Sequence, residues 1–353
     1  MKLVFLGDFM LGRYVAPFIR ELGLPNLLSP IESILKDNLI VTNLESPLTT
    51  VVQPKVKDNA TFSASPEMAL QLSDARISVV SLANNHTFDF GLNGLNETTE
   101  SLNKFGIKFM GAGKNRQEAL KPVIVSVGNY TIGILAFSFV PPATDTTPGV
   151  GYLYDDSVKT AILNVRPHVD FLIVMPHAGI EMYQFPLHRD QKVCRMMVDH
   201  GVDLVIGSQS HCVQAMEIYN GKYIFYSLGD CIFDHHRREV IADFNTSVSH
   251  VNRFNLDMKK AAPSVSLSVI VSFQGGRLNL KYEPLIMRGD RPGPHLLSQS
   301  EKETWIADFQ SLNNKLQNDE VVRQQRVDIE TKLLQSLNER GILDSNEGDS
   351  WQG

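Results

Sequence analysis

Ile77-Ser78-Val79-Val80-Ser81-Leu82 runs into Asn84-Asn85-His86-Thr87-Phe88-Asp89-Phe90-Gly91, and the reading of that junction decides the fold. The β-branched run predicts a strand. Two asparagines, a histidine and an aspartate at its end make a poor core and a good site. Other strand-like runs end the same way. Leu3–Leu6 ends in Gly7-Asp8, Leu39–Thr42 in Asn43-Leu44-Glu45, Phe171–Met175 in Pro176-His177, and Asp203–Ile206 in Gly207-Ser208-Gln209-Ser210-His211. Open α/β sheets place their chemistry beyond the carboxyl ends of strands. Carboxylate, amide oxygen and imidazole suit zinc, manganese or iron. A pair of such ions clamps the attacking and leaving oxygens of a displacement. The junctions together point to a metal-dependent hydrolase.

Each residue also has an ordinary structural reading. Asp8 is placed to cap a following helix, and Glu45 to sit on the surface. His86, His177 and His211 are placed as satisfied structural histidines. Asn85 and His86 are neighbours, so in extended backbone they point oppositely; a tight turn lets both reach one site. Asp89 either orients His86 or caps the helix near Gly91. His188, His235 and His236 read as surface residues or as supports behind the ligands.

The 353 residues, 43% hydrophobic, suffice for a large α/β core. A net charge of −6 and a pI near 5.9 give no electrostatic footprint for nucleic acid. They leave room for an anionic substrate, because a metal site carries its own positive field. Cys194, Cys212 and Cys231 do not form a disulfide framework and fit a reducing compartment. The opening apolar run, Leu3–Leu6, is too short for a signal peptide or a transmembrane segment. With Asp8 as a ligand no room is left for a leader, so the expected location is cytoplasmic.

Along the chain, βα units give way to hairpins twice. A helix is predicted from Pro66 to Leu72 with Ser65 as its cap, and others over 94–105, 158–165 and 190–200. The last carries an apolar stripe of Val193, Met196, Met197 and Val198. Hairpins are predicted through Gly128-Asn129, Asn220-Gly221 and Gly275-Gly276. Two mixed sheets face to face with helices outside accommodate this order. Residues 46–64 read either as a loop lining a groove or as a solvated edge. Residues 240–262 have no clear pattern. After residue 290 the composition shifts: Trp305, Phe309, Leu312 and Leu316 share one helical face, and Ile329, Leu333 and Leu337 another. These helices pack on the main domain or on a partner. Domains are therefore expected over 1–290 and 291–353, with a disordered tail from Ser345.

Gly7-Asp8, Asn43-Leu44-Glu45-Ser46-Pro47, Asn84-Asn85-His86-Thr87-x-Asp89-x-Gly91, His177-x-Gly179-x-Glu181, Gly207-x-x-x-His211-x-x-Gln214 and Tyr226-Ser227-Leu228-Gly229 together resemble the CapA family. These are poly-γ-glutamate capsule synthesis proteins, a branch of the calcineurin-like metallophosphoesterase superfamily. The resemblance covers roughly residues 2 to 286. It implies a four-layer αββα sandwich of the metallo-dependent phosphatase type and one or two divalent ions (Mn, Zn or Fe). It also implies that Asp8 and His211 hold the first metal, Asn85 and His177 the second, and that Glu45 bridges them. His86 is implied to protonate the leaving group, and Arg13 to face an anionic group.

The chain departs from the superfamily pattern at three places. Met10 stands where a ligand histidine is usual, and a thioether is a poor ligand for a hydrolytic ion. Gln209 replaces another histidine and offers an amide oxygen. Asp230 stands where the family commonly has asparagine, and its carboxylate is expected to compensate nearby. The implied function is hydrolysis of a phosphoester or amide bond through a metal-bound hydroxide, on a phosphoester or anionic polymer. The alternative is a non-catalytic, polymer-handling or scaffold subunit of a capsule synthesis membrane complex.

Overall fold

The computed structural model describes residues 1–55, 61–234, 265–288 and 292–339. The larger sheet is built on β1 (Leu3–Phe9), β2 (Leu39–Leu44), β3 (Ile77–Ser81) and β4 (Lys108–Met110), all parallel. A short pair, β5 (Ala112–Gly113) and β8 (Gly149–Val150), stands apart from both large sheets. The second sheet contains β6 (Val123–Val127), β7 (Tyr130–Ser138), β9 (Phe171–His177), β10 (Leu204–Ile206), β11 (Met216–Tyr219) and β12 (Lys222–Phe225). Its order is β11-β12-β10-β9-β7-β6, parallel in the middle and antiparallel at both hairpin ends. The larger sheet is completed by β13 (Asp230–Ile232), β14 (Val265–Gln274), β15 (Arg277–Met287) and β16 (Pro294–Leu296), in the order β16-β15-β14-β1-β2-β3-β4. Strand β13 lies off that path and pairs with the end of β1.

Strand periodicity sorts the side chains into separate cores. Leu3 and Phe5 face inward with Val41 and Val79, against Ile132, Ile134, Ile173 and Leu204 of the second sheet. Val4 and Leu6 face outward with Ile40 and Val80, against Val15, Ile19, Leu72 and Leu95 from the helices. On the far side, Leu135, Leu172, Val174 and Val205 pack on Val158, Ile162, Cys194 and Met197. The expected pairing of two mixed sheets is therefore present. Strand residues of both sheets share one core, and helix residues join strand residues in the other two.

Strand β1 breaks its own alternation. Leu6 and Phe9 both lie in the outer core, although an odd number of residues separates their faces in regular strand. The pairing register with β2 shifts between Phe5 and Asp8, and that with β13 between Asp8 and Phe9. This irregularity turns Asp8 away from the helix side, where strict alternation from Val4 and Leu6 would have left it.

Helix boundaries differ by a few residues from the sequence reading. The helix expected at Pro66 spans Met68–Asp74, and the one expected at 94 begins at Gly91. Ser65 contributes its carbonyl to Met68 N rather than a side-chain cap. In helix His188–Asp199 the buried face is Cys194, Met197 and Val198, while Val193 and Met196 are only partly covered. The two C-terminal helices, Gln299–Asn318 and Glu320–Glu339, pack on this chain's own cores. Phe309 enters the inter-sheet core, Leu316 the far outer one, and Ile329 a small cluster with Tyr183 and Leu187. Ser298 and Glu301 form a capping box at the first helix. The Leu337 side chain, His235, His236, residues 240–262 and the tail from Ser345 lie outside what the structure describes. Among the described residues no helix is long and apolar enough to cross a membrane.

Candidate metal centre

Every strand end singled out in the sequence arrives at one rim. Asp8 sits at the end of β1, Glu45 just beyond β2, Asn85 and His86 beyond β3, His177 at the end of β9, and Gln209 and His211 beyond β10. Asp8, Glu45 and His211 are all buried, and each offers a ligand atom within 4.8 Å of the others. Glu45 Oε1 lies 3.7 Å from His211 Nε2 and 3.7 Å from His177 Nε2. It is buried and accepts no hydrogen bond among the described residues. Buried oxygens of this kind are costly unless something satisfies them. A divalent ion fits that need, with carboxylate and imidazole donors in its preferred range.

Supporting contacts aim these ligands. His211 Nδ1 pairs with Asp230 Oδ1 at 2.8 Å, which leaves Nε2 toward Glu45. Asp230 reaches this position because β13 sits opposite Asp8 in parallel register. Its carboxylate thus faces the His211 side of the rim and orients the histidine. Asn43 Nδ2 donates to Asp8 Oδ1 at 2.9 Å and lies 3.4 Å from both Glu45 Oε2 and His177 Nδ1. Its own carbonyl accepts from Asn84. Asn43 was missed as a site residue in the sequence, although its spacing of two from Glu45 is a same-face signal.

Electrostatics follow from burial. Burial pushes the Asp8 carboxyl up to about 7, against the lowering effect of His211. Glu45 is driven well above the usual carboxylate range by burial and then by the Asp8 charge. Burial opposes charge on His211, but Asp230 and Glu45 outweigh it and hold its pKa well above the ordinary value. His177 is pushed well below it, by burial and then by the charges of His211 and His86. His177 is therefore a neutral imidazole. Its Nδ1 contacts Ser208 Oγ at 2.8 Å and its Nε2 contacts Asn85 Oδ1 at 3.0 Å. The two groups expected on a second ion are in direct contact with each other.

Met10 is fully buried in the outer core, and its sulfur accepts from Gly12 N at 3.2 Å. It does not join the ligand cluster. His86 lies close enough to His177 for its charge to act on that imidazole. Its Nδ1 meets Asp89 Oδ2 at 2.9 Å, and the same oxygen accepts from Phe62 N at 2.7 Å. Of the two readings of Asp89, orientation of His86 is the one adopted; the helix from Gly91 has no side-chain cap. The Phe62 ring stacks on His86 with centroids 3.9 Å apart, and the Arg13 guanidinium carbon lies 5.2 Å from that ring's centroid. Arg13 Nε also pairs with Asp234 at 3.3 Å. Phe62 carries no sequence signal, because it lies in an irregular loop far along the chain from His86. The two ends of that loop are tied to each other by Thr49 N to Ala64 O and Ala64 N to Pro47 O, each at 2.9 Å, and Phe62 sets its described part against His86.

Two mixed sheets with a buried Asp/Glu/His cluster at their carboxyl rim define a protein with the calcineurin-like metallophosphoesterase type of fold. A solved structure described as a novel phosphatase from Mycoplasma pneumoniae shares that fold, with a TM-score of 0.52 at 16% identity over 83% of this chain and 95% of that one. Residues 2–235 match the family described as bacterial capsule synthesis protein PGA_cap, and the chain belongs to that family. Among its relatives is the PGA biosynthesis protein CapA of Bacillus subtilis (strain 168), 29% identical over 74% of this chain and 72% of the relative. The capsule biosynthesis protein CapA of Bacillus anthracis is 28% identical over 66% of this chain and 60% of its own length.

Proposed function

We propose that the chain is a metal-dependent hydrolase of a phosphoester or amide bond, linked to the making or handling of an anionic polymer such as poly-γ-glutamate. The observation that carries this reading is Glu45 Oε1: buried, without a hydrogen bond among the described residues, and equidistant from His177 and His211. Asp8, Glu45, His211 and Gln209 are the residues assigned to hold an ion, with Asn85 and His177 beside them for a second. The ion's chemistry in such a site is a lowered pKa for water and charge stabilisation at the attacked centre.

The chain's own residues supply the rest. His86, oriented by Asp89 and stacked on Phe62, delivers a proton to the leaving group. Arg13, steadied by Asp234, faces an anionic group of the substrate. The three cores support the finer architectural reading, a four-layer αββα sandwich over 1–290 followed by a C-terminal extension, 291–353, whose described helices pack on it.

A second reading, a non-catalytic polymer-handling subunit of a capsule synthesis complex at the membrane, is favoured by Met10 in the outer core and by the closed Asn85–His177 contact. One experiment separates the two. Protein purified without chelator is loaded with Mn²⁺ or Zn²⁺, and metal content is measured alongside hydrolysis of aryl phosphates and a γ-glutamyl peptide. A hydrolase turns over at least one substrate class above free metal, and His211→Ala loses both metal and turnover. Full metal occupancy with no turnover of any of them supports the non-catalytic reading instead.

A further inference from the structure

The segment between His177 and helix His188–Asp199 is held from two sides. On the side of the metal centre, Ala178 N donates to Ser208 O at 3.2 Å and Met182 N to Ser210 O at 2.7 Å. The Gln214 side chain donates to Tyr183 O at 2.9 Å and Phe185 O at 3.1 Å. Ser210 lies between Gln209 and His211, whose φ angles are 102° and 54°; Met182 has a φ of 58°. Left-handed backbone at non-glycine residues persists only where the surroundings over-determine it. The turn that presents Gln209 and His211 is therefore as well held as the segment it leans on.

The second C-terminal helix holds that segment from the other side. Arg326 is 2% exposed. Its Nε donates to Pro186 O at 2.7 Å, and its terminal nitrogen to Gln191 Oε1 at 2.7 Å. Glu330 accepts from Arg189 N at 3.1 Å. Ile329 packs with Tyr183 and Leu187. A buried guanidinium is expensive unless its donors are used, and here one bond holds the C-terminal end of the segment and the other the first turn of the helix that follows it. Helix Glu320–Glu339 lies beyond the residues that match the family.

We infer that Arg326 is a positioning residue: it braces the 178–187 segment, which in turn holds the Gln209–His211 turn in its ligand-presenting shape. The link to metal deepens the reading given above and rests on it, whereas the brace itself stands without it. Arg326→Met keeps an apolar stem and removes the fork; Arg326→Lys keeps charge without the fork and serves where the first variant folds poorly. Arg323→Met, on the exposed side of the same helix, is the control.

Two measurements decide it, both on the full chain at a temperature where far-UV circular dichroism shows the folded state. Without metal, hydrogen exchange at the Met182 and Ala178 amides is expected to quicken at least about tenfold in Arg326→Met, with Ile173 in β9 unchanged. Mn²⁺ titrated calorimetrically is expected to bind about tenfold more weakly, as when a support behind a ligand is lost. Unchanged exchange in the segment overturns the brace. Quickened exchange with unchanged Mn²⁺ affinity overturns the positioning role and leaves a stabilising contact. A wild type that binds no Mn²⁺ defeats the metal-centre reading, and the exchange comparison still decides on the brace.

Discussion

At the residue scale, a ligand and a proton donor fail differently. His211 Nε2 faces Glu45, whereas His86 is set by Asp89 and Phe62. His86→Ala is expected to keep its metal and lose roughly 10²- to 10⁴-fold in rate on poor-leaving-group phosphoesters. The loss shrinks for nitrophenyl esters, whose leaving group needs little protonation. Equal rates for the variant and wild type on a poor leaving group, at matched metal occupancy, would remove His86 from that role. Protons supply a second test. Asp8 at about 7, with Glu45 and His211 also raised, retains protons that the unfolded chain gives up at lower pH. Raised groups stabilise the metal-free fold at low pH, and that stability is lost as pH rises through their folded values. Metal needs the deprotonated carboxylates and a free imidazole nitrogen. Its affinity should therefore strengthen between about pH 6 and pH 8, with net proton release on binding. Calorimetry in buffers of differing ionisation enthalpy measures this, and a pH-independent affinity without proton release contradicts it.

At the element scale, the close approach of β1 and β13 brings Asp230 behind His211. A Cβ on Gly7 would lie 2.0 Å from Gly229 O, so no side chain fits there without parting the two strands. Gly7→Ala is expected to cost about 1–3 kcal/mol or more, as overpacking does, and to weaken metal binding with it. Urea denaturation and metal titration of the variant check both halves; full stability with full affinity would mean that the strands part freely. The ends of these strands were legible in the sequence because apolar runs stopped abruptly at polar residues. Their supports were not. Asn43 sat in view within a motif credited to Glu45, and Phe62 reaches His86 only through the path of a loop.

At the scale of the whole molecule, the C-terminal helices complete the cores rather than decorate them. Phe309, 3% exposed, packs between the sheets with Trp305 beside it. Phe309→Ala should cost about 3–5 kcal/mol, read as a lowered denaturation midpoint. A loss under about 1 kcal/mol would mark the helix as loosely docked, since surface substitutions fall in that range. Their amphipathic faces were visible from residue spacing, but whether they met this chain or another was not, because periodicity records a buried face and not its partner. By itself the sequence determined the family, the two mixed sheets and the polar residues at the strand ends, all carried by local order: apolar runs, turn dipeptides and motif spacing. Tertiary structure alone decided which way Asp8 faces. Strict alternation from Val4 and Leu6 would turn it to the helix side, and the register shifts beside it turn it to the rim. Side-chain parity is a property of regular strand, and an irregularity that reverses it is set by the strands on either side.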